Sequence, residues 1–115
     1  MSTVVIRDVL AGLAGGKGFI GLAPAGTAAP YFVVSLVSGD REMALGGLTG
    51  GRSGSYQVDF YAATYAAADS MADQACDLMG AATAQFSLGA VTDLPDDYSS
   101  VDKTFRVSLE FGVQF

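Results

Sequence analysis

The sequence contains no histidine and no tryptophan, and its single cysteine is Cys76. Without histidine the chain cannot build a Ser-His-Asp or Cys-His nucleophile system, and one cysteine cannot supply the ligands of a Cys/His zinc site. One cysteine also cannot form a disulfide within the chain, so packing alone must hold the fold together. These absences predict a protein that is not an enzyme and that uses no cofactor and no metal ion.

Charged residues are scarce as well, at 16% of the chain. There are 6 lysines and arginines and 12 aspartates and glutamates, which gives a net charge of -6. Nucleic-acid binding requires clustered basic side chains, and the six here are scattered along the sequence, so specific DNA binding is not expected. No apolar run reaches the roughly 18 residues of a membrane-spanning helix. The N-terminus lacks a basic leader, so we expect synthesis in the cytoplasm and a reduced Cys76.

What the sequence does have is a hydrophobic fraction of 50% in only 115 residues. This length corresponds to a single domain, residues 1–115, and a domain of this size leaves part of its apolar surface outside the core. Oligomerisation is the simplest way to cover such surface.

Hydrophobic periodicity predicts an α+β domain, in which two helices pack on a mostly antiparallel sheet of about five strands in the order αβββαββ. The clearest strand signal is the alternation from Phe105 to Phe115, and the clearest helix is the one capped by Thr64. The predicted helices are 3–13 and 64–82, and the predicted strands are 18–23, 31–37, 55–60, 85–91 and 104–115.

Two further segments are predicted to lack regular structure. Residues 39–54 contain six glycines and no apolar period, which indicates a long mobile loop, and 93–97 reads as an acidic turn. The strand 31–37 is nonpolar on both faces except for Ser35, which predicts a central strand covered on both sides.

Two glycine patterns match the sequence motifs of phosphate-binding loops but not the order of strand and helix that those loops require. The GxGxxG of 16–21 follows a helix and enters a strand, whereas a dinucleotide-binding loop does the opposite. The glycines of 46–51, followed by Arg52 and Ser53, lead into a strand instead of the helix that a P-loop needs. Neither pattern predicts a nucleotide site.

Two groups of charged residues are candidate functional surfaces. Asp69, Asp73 and Asp77 lie at i, i+4 and i+8, so they share one side of the second helix. They form either a solvated face or a deliberately negative surface that repels an anion or meets a basic partner. Asp59, Arg106 and Glu110 lie on the polar side of two alternating strands, as a cross-strand charge pair or as part of a subunit interface.

Several segments together resemble the tail-completion, or tail-terminator, family of long-tailed bacteriophages and phage-like particles. The resemblance covers nearly the whole chain and lies in the order and spacing of its segments, since no single motif is diagnostic. The segments are 23–34 (APAGTAAPYFVV), 38–41 (SGDR), 56–62 (YQVDFYA), the helix from Thr64 with Tyr65, Ala68 and Ala72, and 106–111 (RVSLEF).

The resemblance implies a structural virion protein that assembles as a ring, typically a hexamer, on the finished tail tube. Such a ring stops tube polymerisation and offers a docking surface for the head at the head–tail junction. Its partners would be other copies of the chain, the tail tube protein and a head-side neck protein. DNA would pass through without being bound specifically, and no membrane is involved. Interface residues would be Asp40, Arg41 and Arg52 in the 40–54 segment, together with Asp59, Arg106 and Glu110.

Two alternatives remain open at this stage. A neck or head-completion connector would use the same ring at the other side of the junction. A small binding domain that uses its acidic clusters belongs to a different class of function.

Overall fold

The computed structural model describes residues 2–44 and 47–115, with side chains described for residues 3–38 and 53–115. The elements are α1 (Ser2–Val9), a short 3₁₀ helix (Leu13–Gly16), β1 (Gly18–Ile20), β2 (Tyr31–Ala44), β3 (Gly47–Ala62), α2 (Tyr65–Ala81), β4 (Ser87–Ser99) and β5 (Thr104–Gln114). This arrangement confirms the predicted α+β class and the order αβββαββ.

The five strands form one sheet in the order β1-β2-β3-β5-β4. Only β1 and β2 are parallel, and the remaining three pairs are antiparallel. The sheet therefore consists of two hairpins, β2–β3 and β4–β5, which meet where β3 pairs with β5, and of β1, which adds to the outer side of β2.

Both helices pack on the same face of the sheet, which we call the helical face. Alternation along β2, β3 and β5 brings aligned rows of apolar side chains to this face, such as Phe32, Phe60 and Val107 in one row. Small side chains on α2 let the helix approach these rows closely. The helices contribute Ile6 and Leu10 from α1, Leu13 from the 3₁₀ helix, and Ala68, Met71, Ala72, Ala75 and Met79 from α2.

Helix α2 begins where the sequence predicts. Thr64 has an extended backbone and its hydroxyl accepts a hydrogen bond from the Ala67 amide at 3.2 Å, which is the expected N-cap interaction. The first helix is shorter than predicted, because α1 ends at Val9 and the chain resumes as the 3₁₀ helix. The predicted apolar stripe still faces the core at Ile6, Leu10 and Leu13.

The predicted loop 39–54 is wrong, because β2 extends to Ala44 and β3 begins at Gly47. Residues 45 and 46 lie outside the described residues. The ladder between β2 and β3 continues to Ala44 and Gly47, whereas β5 ends opposite Ser53. Residues 39–44 and 47–52 thus form a two-stranded arm beyond the sheet. The sequence of 39–54, with its six glycines, has no apolar alternation, which explains why the periodicity missed these strands.

The predicted acidic turn 93–97 is also wrong, because these residues lie within β4. The turn between β4 and β5 is instead 100–103, where the Asp102 amide donates to the Ser99 hydroxyl at 3.2 Å. Strand β4 is at the edge of the sheet, and its register with β5 shifts between Leu94 and Asp97. Carboxylates and a proline are tolerated in an edge strand, because one side of the strand has no ladder to maintain.

The expectation that 31–37 is covered on both sides holds only for its first half. Phe32, Val33 and Val34 are buried, but Leu36 and Val37 are 55% and 52% exposed. Strand β1 pairs only with Phe32–Val34 of β2, so the outer edge of β2 has no ladder partner beyond Val34 among the described strands. This segment is one of two free edges of the sheet.

Candidate assembly surfaces

The face of the sheet opposite the helices, which we call the open face, carries most of the polar strand residues. Alternation and register place three rows there: Tyr31, Tyr61 and Arg106; Val33, Asp59 and Ser108; and Ser35, Gln57 and Glu110. The predicted grouping of Asp59, Arg106 and Glu110 on one face therefore holds.

Asp59 accepts hydrogen bonds from two neighbouring side chains on the open face. Its Oδ1 accepts a hydrogen bond from the Ser108 hydroxyl at 2.5 Å and one from the Gln57 side-chain amide at 2.8 Å. Ser108 is buried and out of contact with water, so this bond provides the hydrogen-bond partner that its hydroxyl would otherwise lack. Register puts Asp59 opposite Ser108 and not opposite Arg106, so these two charges do not form the direct cross-strand pair considered from the sequence.

Arg106 lies between an aromatic pair and an acidic strand. Tyr31 and Tyr61 are stacked beside it, with ring centroids 4.5 Å apart and planes at 15°. On its other side, Arg106 Nη2 is 4.0 Å from Asp97 Oδ2 of β4, a loose and solvent-exposed ion pair that contributes little stability. Its Nε is buried and has no hydrogen-bond partner among the described residues. Sequence periodicity missed the tyrosine stack, because only the strand register brings the two rings together.

Next to the tyrosine stack, the open face forms a cleft of about 810 Å³. The 21–29 segment makes one wall, and Asp102 and Lys103 of the β4–β5 turn make the other. Burial raises the pKa of the Tyr61 phenol, with Asp59 and Tyr31 adding to the shift and Arg106 opposing it. Burial and then Asp102 raise the pKa of Tyr31. Both phenols stay neutral well into the alkaline range.

The three aspartates of α2 lie on the other side of the sheet. Asp69, Asp73 and Asp77 are exposed on the helix, and Asp93 of β4 is near enough for its charge to act on Cys76 of the same helix. Burial raises the pKa of the Cys76 thiol, and the charges of Asp73, Asp93 and Asp77 raise it further. The two predicted charge groups therefore lie on opposite faces of the sheet.

Because of these carboxylates, Cys76 should react slowly with thiol reagents. Removing one charge by Asp93→Asn lowers the thiol pKa, so more thiolate is present at pH 8 and alkylation should be faster. The rate of iodoacetamide labelling measures this effect. Asp102→Asn is the matched control, because Asp102 is not among the charges that act on Cys76, and its labelling rate should equal that of the wild type. Equal rates in both variants would contradict the placement of Asp93.

An aromatic cluster lies at the N-terminal end of α2. Tyr98 of β4 is 4.6 Å from Phe105 between ring centroids, and Tyr65 is 6.2 Å from the same ring. The Tyr65 hydroxyl donates to Asp96 Oδ2 at 3.0 Å, and this hydrogen bond is the main reason that the pKa of Tyr65 is raised. Tyr65 and Tyr98 are nevertheless 46% and 48% exposed, so the cluster belongs to the surface.

For the remaining predicted interface residues the structure gives only the backbone. Asp40, Arg41 and Arg52 lie in the two-stranded arm, where Arg41 and Arg52 are opposite each other in the ladder. Their side chains lie outside the described residues. Of the two glycine patterns, 16–21 runs from the 3₁₀ helix into β1, and the residues after Gly47 form a strand, so neither has the helix that a phosphate loop requires.

Among residues 2–44 and 47–115, no group of three or more cysteine, aspartate or glutamate side chains is arranged to hold a metal ion. No helix within those residues has the length and apolar character needed to cross a membrane.

Comparison with known proteins shows that the fold of this chain is similar to that of a chain in a solved structure. No protein-family model matches the sequence, and no curated protein matches it. A chain in the solved structure of the virion of a native gene transfer agent particle is similar in structure, with a TM-score of 0.57 and 22% sequence identity. The match covers 92% of this chain and 83% of that chain. The protein thus shares nearly its whole fold with a chain from that virion structure.

Proposed function

We propose that the protein is a structural component of a phage-like particle, a tail terminator that closes the end of the tail tube as a ring. The observation that carries the proposal is the similarity of fold, over 92% of the chain, to a chain from a gene transfer agent virion. The resemblance of the sequence to tail-completion proteins supports the same role. In this role the ring, typically a hexamer, stops tube polymerisation and receives the head-side neck protein.

The open face suits the lumen of such a ring. It combines small polar side chains with Asp59 and Glu110, and its Arg106 lies next to Asp97. A wall with more carboxylates than basic side chains repels the DNA backbone and lets DNA pass without binding it. The aspartates of α2 would then face outward, because they lie on the helical face.

The test is assembly of the purified protein, alone and with tail tube protein from the same particle. Native mass spectrometry and negative-stain imaging should show closed rings, and addition of the protein to polymerising tube protein should shorten the tubes. Bovine serum albumin at equal concentration controls for crowding. A protein that stays monomeric with tubes present and leaves tube length unchanged would refute the proposal.

The same experiment distinguishes a tail terminator from a neck or head-completion connector. A ring that does not bind the tail tube but binds the head-side portal or neck complex would place the protein at the head side of the junction. A protein that forms no ring but shows a saturable heat on titration with a small ligand would instead be an acidic binding domain.

A further inference from the structure

Strand β4 is exposed on both of its faces. None of its 13 residues is buried, although it pairs with β5. Helix α2 packs over β3 and β5, where its buried side chains join the core, and leaves the residues of β4 open to solvent. The outer edge of β4 has no strand beside it within the described sheet. The subunit itself therefore leaves this surface uncovered.

The helical side of β4 and the adjoining side of α2 carry negative charge. Asp93 lies opposite Leu109 of the core in the ladder, so it is on the helical face, and Asp96 accepts a hydrogen bond from the Tyr65 hydroxyl of α2 at 3.0 Å. We call the five carboxylates on this side the acidic flank, which consists of Asp69, Asp73 and Asp77 of α2 and Asp93 and Asp96 of β4.

The carboxylates of the two elements act on the same groups, so they form one surface. After burial, Asp73 of α2 and Asp93 of β4 are the two largest causes of the raised pKa of the Cys76 thiol. The pKa of Tyr65 is raised first by its hydrogen bond to Asp96, and the charges of further carboxylates on both elements add to this shift. Helix and strand thus contribute to a single negative region.

No basic side chain described in the structure balances this region. The sequence has no lysine or arginine between Arg52 and Lys103, and none of the five carboxylates has a basic group within 4.0 Å among the described residues. Like charges four residues apart on one side of a helix destabilise it, so the row on α2 has a cost to the subunit that no described ion pair offsets. The negative charge is available to a partner.

The acidic flank also exposes apolar surface. Tyr65 and Tyr98 are 46% and 48% exposed, and Val91 is 39% exposed. Val91 and Tyr98 lie opposite Phe111 and Phe105 in the ladder, which places them on the same face as the carboxylates. Lysine and arginine have apolar stems and charged heads, and their heads also bind over aromatic rings. The flank therefore fits both parts of a basic side chain.

A second copy of the chain does not offer a matching basic surface. Two acidic flanks would oppose like charges, and outside α2 and β4 the chain has six acidic and six basic residues, so it has no net charge there. The arm is neutral as well, with Asp40 and Glu42 against Arg41 and Arg52. The described basic side chains are dispersed: Arg7 is 3.1 Å from Asp8, Lys17 donates to the Ala28 carbonyl, Arg106 lies near Asp97, and Lys103 follows Asp102.

We propose that the acidic flank is a docking site for a segment of a different protein that is rich in lysine and arginine. The basic heads pair with the carboxylates of α2 and β4, and the stems cover Val91 and the two exposed tyrosines. Complementary charge favours this partner and disfavours DNA or a second flank. The site is complete in the single subunit, so it does not depend on the proposed ring.

The probe for this site is nona-arginine labelled with fluorescein, titrated with the protein at low ionic strength and followed by fluorescence anisotropy. Exchanging three flank carboxylates in the variant Asp69→Asn/Asp73→Asn/Asp93→Asn should raise the Kd by about tenfold or more. The control variant Asp8→Asn/Asp102→Asn/Glu110→Gln removes equal charge away from the flank and should raise the Kd by less than about threefold. Circular dichroism confirms that both variants are folded.

The comparison of the two variants decides whether position or net charge controls binding. Equal weakening in both would show that nona-arginine responds only to net charge and would overturn the docking site. A wild-type protein that does not bind the probe would also overturn it. In ¹H–¹⁵N spectra of the wild type, the largest shifts on addition of nona-arginine should fall within 65–77 and 91–98. Larger shifts on the open face would place the probe elsewhere and contradict the proposal.

These outcomes are independent of those that test the proposed function. Rings that stop tube growth but do not bind nona-arginine at the flank would remove the docking site and leave the tail-terminator role intact. A protein that binds the probe at the flank but forms no ring with or without tubes would support the docking site and remove the role.

Discussion

Replacing Phe60 by alanine is expected to lower the free energy of unfolding by about 3–5 kcal/mol, the usual range for truncation of a buried aromatic residue. Phe60 is fully buried in β3, between Phe32 on β2 and Val107 on β5, so its ring touches both hairpins of the sheet. The substitution would leave a cavity in the layer between the sheet and the helices. Packing of α2 on this layer keeps the surrounding atoms from closing the cavity. Urea unfolding followed by circular dichroism measures the loss.

Val101→Ala is the matched control for this prediction. Val101 is 89% exposed in the β4–β5 turn, so its truncation should change the free energy of unfolding by less than about 0.5 kcal/mol. Because a domain of this size is stable by only about 5–15 kcal/mol, the Phe60 variant would have lost a large part of its margin. A loss below 1 kcal/mol would mean that the core closes around the gap, contrary to the packing described above.

The second large effect is expected for Gly18→Ala. Gly18 lies opposite Phe32 in the parallel ladder, and a Cβ atom there would come within less than 3.0 Å of three atoms of the Phe32 ring. Phe32 is fully buried, so the ring cannot swing into solvent to make room. We expect a loss of about 1–3 kcal/mol from overpacking, measured by urea unfolding as above.

Gly12→Ala provides the comparison for this substitution. Gly12 has an ordinary helical backbone with φ of -75°, and a Cβ atom at this position would meet nothing within 4 Å. The same added methyl group should therefore be neutral or slightly stabilising at Gly12. If both alanines destabilise equally, the clash with the Phe32 ring does not set the cost at Gly18.

The elements with a core beneath them were predictable from the sequence. Strand β5 was recognised from the alternation of Phe105, Val107 and Leu109, and α2 from its Thr64 cap and its apolar spacing, because burial on one side imposes a period. The arm and the acidic half of β4 carry no such period. Both segments are strands because their backbones hydrogen-bond to a neighbouring strand. The local sequence does not show which segment that neighbour is.

For the candidate surfaces too, groupings within one element were predictable from the sequence and groupings between elements were not. Spacing along one strand or helix placed Asp69, Asp73 and Asp77 together, and strand parity placed Asp59 on the same face as Arg106. Sequence alone could not relate these groups to each other, and only the packing of α2 separates them onto opposite faces. The Tyr31–Tyr61 stack and the nearness of Asp93 to Cys76 depend on contacts between distant segments, which a periodicity argument cannot reach.

The position of β5 in the sheet has a consequence for biosynthesis. Of the five strands, β5 comes last along the chain, yet it lies between β3 and β4 and joins the two hairpins. While the ribosome is still adding residues before Thr104, β3 lacks its second neighbour and the apolar side of Val58 and Phe60 is only partly covered. Domains fold as cooperative units once their chain is available, so the nascent protein stays incomplete until β5 emerges from the exit tunnel. Closure of the core thus has to wait for β5, and release of a chain truncated before Thr104 would yield an aggregation-prone fragment instead of a smaller functional domain.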